Sequence, residues 1–309
     1  MNKALVGYTG FVGSNIYDLT TFDRVYNSKN IEDAYGTCPD ILVYSAVPSA
    51  MFIANQNPCE DFDYIKCAIE NIKKIQAKRV VLISSIAVYD CTFDVDENYE
   101  IKEDKLLPYG KNRLYLEKWV TEKCKDSVIV RLPAIYGNNL KKNFVYDYIN
   151  IIPTMLNKSK YVQLKKANSL IENYYVLSDD GFYHCLDSKS KELYLFFKNN
   201  DFNATLFTDS RSNYQFYNLK NLWKDILIAI QNNIRILNIT TEPLNVGELY
   251  FYLTGEIFVN ELGKKPFDYN VRSIYAELFG GNNGYFMNKY DVMKDLKNYI
   301  DMEIKKKWD

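Results

Sequence analysis

Three glycines spaced three apart follow the first apolar run of the chain, in Val6-Gly7-Tyr8-Thr9-Gly10-Phe11-Val12-Gly13. Residues 4–8 read as a strand and residues 11–19 as a helix, so the glycines sit at a strand–turn–helix junction. Gly7 permits a tight turn, Gly10 lets backbone approach a ligand, and Gly13 lets helix and strand pack closely. The helix N-terminus then offers N–H groups to an anion. A plain tight turn would use the same glycines. In this context, however, the turn points to a dinucleotide pyrophosphate, with Gly7, Thr9, Gly10, Phe11, Val12 and Gly13 as candidate contacts.

The rest of the first half fits such a start. Short apolar runs at 24–27, 40–46, 79–85 and 127–132 read as strands, and residues 61–76 and 109–124 as helices. In 61–76 the apolar stripe is Ile65, Ile69, Ile72 and Ile75. Strands that alternate with helices of 10–15 residues form right-handed βαβ units and a parallel sheet. The strands are continuously apolar, as expected when helices cover both faces. Only residues 28–39 lie between the second and third strands, so the usual third edge strand is expected to be missing or vestigial. The expected fold class is α/β: a Rossmann-type parallel sheet with helices on both faces, plus a smaller mixed α/β substrate domain.

Beyond about Pro153 the pattern loosens. Residues 172–177, 193–197 and 204–207 read as short strands, 222–231 and 246–252 as helices, and 235–239 as a strand. The expected division is a nucleotide-binding domain over 1–150 and a substrate domain over 151–309, with the chain re-entering the first sheet near 204–245. With 47% apolar and 25% charged residues and a net charge of -1, the chain has ordinary globular composition and no basic surplus for nucleic acid. No apolar run approaches the roughly 20 residues of a membrane helix. The start resembles no signal peptide and the cysteines form no C-x-x-C pair, so a reduced, cytoplasmic protein without a metal site is expected.

The chemistry lies further along. An acid about 20 residues past the glycine turn would hold the ribose 2'-hydroxyl of NAD. Here the second strand ends in Asn27, Ser28 and Lys29, with no acid at its tip. That set suits a 2'-phosphate and leans towards NADP, with NAD left open; a solvated turn lysine explains Lys29 equally well. Tyr109-Gly110-Lys111-Asn112-Arg113 begins a helix, and residues four apart share a face, so Tyr109 and Arg113 can address one ligand. Tyrosine ionises near pH ~10, and a neighbouring cation lowers that value. Ser85 closes the strand 79–85 at the carboxyl edge of the sheet, where open α/β sheets bind ligands.

The segments GYTGFVG, LISSIAVY, YGKNR and VRLPAIYG, in this order and spacing, resemble the extended short-chain dehydrogenase/reductase family, in its nucleotide-sugar epimerase/dehydratase group. The likeness is close over about 1–140 and looser afterwards. It implies that Ser85 is the catalytic hydroxyl and Tyr109 the proton donor or acceptor. Ala46, Val47 and Pro133 would lie along the cofactor. The family pattern is Tyr-x-x-x-Lys, and this chain has Arg113 at the lysine position; arginine keeps the charge and can bond the ribose hydroxyls of the cofactor beside Tyr109, but has a different geometry.

Dehydratases of the group carry Asp-Glu after the catalytic hydroxyl, where this chain has Ile86-Ala87. Some epimerases of the group use a cysteine, at the place of Ala87, and a histidine; the single histidine here is His184. What the resemblance leaves is NADPH-dependent reduction of a keto-sugar nucleotide. The alternatives are a C4 epimerase with bound NAD and a non-catalytic dinucleotide-binding protein. It also implies that Asn143, Arg211 and Asn218 contact the substrate, and that helices 61–76 and 109–124 mediate a homodimer.

Overall fold

The computed structural model describes residues 1–308. The chain divides into two compact units. The first takes Met1–Leu140, Asn213–Leu244 and Phe267–Asp295. Its elements are β1 (Lys3–Val6), α1 (Phe11–Leu19), β2 (Arg24–Tyr26), β3 (Ile41–Tyr44), α2 (Met51–Gln56), α3 (Pro58–Ile75), β4 (Arg79–Ser85), α4 (Pro108–Lys123), β5 (Ser127–Leu132), α5 (Leu222–Gln231) and β6 (Ile236–Asn238).

The six strands form one parallel sheet in the order β6-β5-β4-β3-β1-β2. Side chains alternate across it, as the period of two requires. Leu5, Val43, Val81 and Val130 face α1 and α5 in one core, with Ile16, Leu222 and Ile226. Ala4, Val6, Leu42, Leu82 and Ile129 face α3 and α4 in the other, with Ile65, Ile72, Leu116 and Val120. On α3 the buried stripe is Ile65, Ala68, Ile72 and Ile75, joined at its start by Asp61.

Among the described residues the sheet ends at β2. A single 3-10 turn, Ile31–Ala34, bridges to β3. The order reverses between β1 and β3, which opens a crevice at their carboxyl ends. The chain returns to the sheet through β6, which pairs with β5.

The second unit takes Lys141–Ser212, Asn245–Pro266 and the chain from Leu296 onward. It holds an antiparallel sheet of Met155–Leu156, Tyr183–Cys185 and Tyr175–Leu177. Three expectations change here. Residues 193–197 are not a strand but part of a helix, Lys191–Lys198, because the Ser190 hydroxyl caps the Leu193 N–H and Leu193 and Phe197, four apart, both bury. Residues 204–207 form a 3-10 turn capped by the Asn203 side chain. Only the end of 172–177 is a strand, since Leu170–Tyr174 is helical. No helix of the described residues is long and apolar enough to cross a membrane.

Candidate active site

The glycine turn is built as tightly as its spacing demands. Gly7 has φ +93°, and a Cβ there would lie 2.6 Å from the Ser45 carbonyl at the end of β3. A Cβ on Gly13 would lie 2.0 Å from the Gly7 carbonyl, so α1 leaves the turn at a distance only glycine allows. The Gly10 N–H bonds the Gly7 carbonyl at 2.9 Å, and Gly10 begins α1 without a side-chain cap. Thr9 and Gly10 are exposed; Phe11 and Val12 are half-buried against the core. The first-turn amides therefore face an open edge, and backbone can approach a pyrophosphate there.

At the tip of β2 the Asn27 side chain accepts the Lys29 N–H at 2.8 Å and reaches the Tyr8 hydroxyl at 3.4 Å. Ser28 and Lys29 are exposed. Ala46 is exposed and Val47 half-buried just beyond β3, while half-buried Pro133 follows β5.

Ser85 ends β4, and its Oγ accepts the Ala87 N–H at 3.2 Å. Its hydroxyl lies near enough to the Tyr109 phenol to favour the ionised form. Tyr109 stands in the first turn of α4. Leu107 provides no side-chain cap there, and the Asn55 side chain takes the Tyr109 N–H at 2.9 Å instead. Gly110 lets this turn touch the loop after Ser85; a Cβ on it would lie 2.1 Å from the Ala87 carbonyl.

Arg113 packs over the Tyr109 ring, its guanidinium carbon 3.9 Å from the ring centre. It is 4% exposed and donates to the Asp61 carboxylate and the Pro48 carbonyl. Burial raises the Tyr109 phenol above its ordinary value; the Arg113 charge and the nearby Ser85 hydroxyl pull it down, and the Asp61 charge pushes it up. The cation lowers the phenol as expected, but burial in this dry site outweighs it, so the net direction is upward.

Beneath this pair lies a second buried ion pair. Arg131 on β5 donates to Glu117 on α4 through two of its nitrogens and to the Tyr89 hydroxyl at 2.8 Å. Ser84 also donates to Glu117, and the Tyr89 hydroxyl accepts from the Asn238 amide at 2.8 Å. The network ties β4, β5, β6 and α4 together where Ser85 and Tyr109 are presented. Asp61, Pro48, Asn55 and Glu117 were not singled out from sequence. Asp61 carried a signal, an acid continuing the apolar stripe of α3.

The remaining candidates are otherwise engaged. Asn143, in the second unit, has φ +92° and caps the helix Phe144–Ile149. Arg211, also in that unit, is held by Asp209 and Glu261 at 2.8 Å each. Asn218, in the first unit, donates to Asp295 at 2.8 Å and accepts the Lys220 N–H. His184, in the second unit, pairs with Asp180 at 2.7 Å.

The parallel sheet, its reversal point and its glycine turn define a Rossmann-type fold. A family model described as "RmlD substrate binding domain" matches residues 6–161, just over half of the chain, and the chain belongs to that family. No curated protein sequence matches.

Solved structures are similar over nearly the whole length. A dTDP-4-dehydrorhamnose reductase from Clostridium acetobutylicum is 16% identical with a TM-score of 0.61, covering 98% of this chain and 99% of that one. RMD from Pseudomonas aeruginosa, solved with NADPH, is 12% identical with a TM-score of 0.64, covering 99% and 100%. A UDP-glucose-4-epimerase from Stenotrophomonas maltophila with bound NAD is 13% identical with a TM-score of 0.58, covering 98% of each. At these identities the likeness is one of fold.

Proposed function

We propose that the chain is an NAD(P)-dependent oxidoreductase acting on a nucleotide-linked sugar, and specifically a reductase of a keto-sugar nucleotide that uses NADPH. The observation that carries this reading is the close packing of the first turn of α4 on the loop after β4, which brings Tyr109 beside Ser85 in the same unit as the tight glycine turn. The turn fits a dinucleotide, because its close approaches leave backbone where side chains would otherwise stand. Gly7, Gly10 and Gly13 with the first turn of α1 would hold the pyrophosphate. Asn27, Ser28 and Lys29 would hold the 2'-phosphate, and Ala46, Val47 and Pro133 would line the rest.

When bound, the nicotinamide nucleotide supplies the reducing equivalents. The chain's own residues do the remainder. Ser85 holds the carbonyl oxygen, and Tyr109, kept as a phenol by burial, gives that oxygen its proton. Ile86 and Ala87 offer no acid–base pair beside them, so the turn supports reduction rather than elimination.

The test begins with identifying any nucleotide released on denaturation, followed by titration of stripped protein with NADPH and NADH. An empty protein that prefers NADPH supports the reductase; tightly retained NAD points to a C4 epimerase. Tyr109→Phe is expected to lower turnover at least ~100-fold, the scale of general acid catalysis, with cofactor affinity nearly unchanged. Unchanged turnover in that variant refutes the mechanism.

A further inference from the structure

Asp61 lies on the buried face of α3, which is otherwise Ile65, Ala68, Ile72 and Ile75. A carboxylate 4% exposed needs partners, and the first turns of α4 supply two. The Arg113 guanidinium and the Asn112 amide, the latter at 2.8 Å, both donate to Asp61 Oδ2. The Pro48 carbonyl takes another nitrogen of Arg113. The guanidinium is thus held from two sides over the face of the Tyr109 ring, 3.9 Å from its centre. A planar fork can meet such a two-point clamp while it stacks on an aromatic face; an ammonium on a flexible stem cannot.

We propose that Asp61 is a positioning residue of this site: it fixes Arg113 over the Tyr109 ring and offsets the guanidinium charge that the ring meets there. This rests on the reading of Tyr109 as proton donor. The groups that face Tyr109 are Arg113 from α4, Asp61 from α3, Ser85 from β4 and the Tyr269 ring from the segment Phe267–Asp295. Asp61 and Arg113 are the ion pair among them. Without the carboxylate charge, an unopposed cation lies on the phenol ring and the tyrosine becomes more acidic. The pairing therefore holds the phenol less acidic than the cation alone would leave it.

The test is an ionisation measurement that does not depend on turnover. Tyrosine is labelled with carbon-13 at Cζ, and the Tyr109 resonance is assigned by its loss in Tyr109→Phe. At a fixed alkaline pH, Asp61→Asn is expected to raise the Tyr109 phenolate fraction about three- to tenfold over wild type, a shift of about half to one unit. Asp61→Ser replaces it if the asparagine variant does not fold. Asp61→Glu, which keeps the charge, is expected to titrate as wild type does. An unchanged or smaller phenolate fraction on loss of the charge overturns the proposal, and so does a glutamate variant that shifts as far as the asparagine one. Failure of the catalytic reading shows separately, as turnover that survives Tyr109→Phe.

Discussion

Gly110→Ala separates local preference from packing. Inside a helix, alanine is favoured over glycine by up to about 1 kcal/mol, so on propensity alone the change would stabilise α4. The structure reverses the sign. The new Cβ would lie 2.1 Å from the Ala87 carbonyl, against about 3.4 Å for the closest ordinary contact, so the two backbones must part by about 1.3 Å (3.4 − 2.1). Neither side is a flexible side chain. Overpacking of this kind costs about 1–3 kcal/mol, which leaves a net loss of up to about 2 kcal/mol after the helix gain.

The displacement falls between Tyr109, one residue before, and Ser85, two residues before Ala87. A misplacement of about 1 Å between reacting groups costs on the order of 100-fold in rate. The assays are urea unfolding and kcat with the best keto-sugar nucleotide found. The expected result is a modest drop in stability with a far larger drop in kcat, and little change in cofactor affinity. A variant that is more stable than wild type and fully active would refute the reasoning, because α4 and the loop after Ser85 could then separate freely.

Other changes probe other parts. Gly13→Ala, whose Cβ would stand 2.0 Å from the Gly7 carbonyl, is expected to weaken NADPH binding more than about tenfold in a fluorescence titration, with the far-ultraviolet circular dichroism retained. Glu117→Leu leaves Arg131 buried without its partner and is expected to cost about 3–5 kcal/mol in denaturant unfolding; a loss below 1 kcal/mol would show the pair to be dispensable. Asp225, buried and bonded to the Tyr217 hydroxyl, has its carboxyl pushed up by burial to about 6. The folded state therefore binds this proton more tightly than the unfolded state does. Stability should fall by up to about 3 kcal/mol as pH rises from about 4 to about 6, and Asp225→Asn should flatten that slope.

Much of the first unit was legible because its strands are buried on both faces and read as unbroken apolar runs. The glycine turn was equally legible, since each glycine answers a backbone distance rather than a distant side chain. The second unit was harder. Leu193–Phe197 reads as a strand by its apolarity; the serine three residues upstream, which decides for helix, is a weak signal in sequence. Asp61 could be seen as a charge on an apolar stripe, but its partner lies 52 residues away and is fixed only by how α3 packs on α4. Burial raised Tyr109 where the neighbouring arginine suggested the opposite, because desolvation is a property of the packed state and leaves no local mark in the chain.

The late return of the chain to the first sheet sets an order on synthesis. The glycine turn, Ser85, Asp61, Tyr109 and Arg113 all emerge from the ribosome within the first 140 residues. Yet α5 and β6, which cover one face of the sheet and close the edge of β5, do not appear until about three-quarters of the chain has been made. Throughout that interval Leu5, Val43, Val81 and Val130 lack the Leu222 and Ile226 side chains they will pack against, and β5 presents an unpaired rim. A nascent chain stalled before Asn213 thus carries every residue proposed for the chemistry on a half-covered sheet, an aggregation-prone species for a chaperone to shelter.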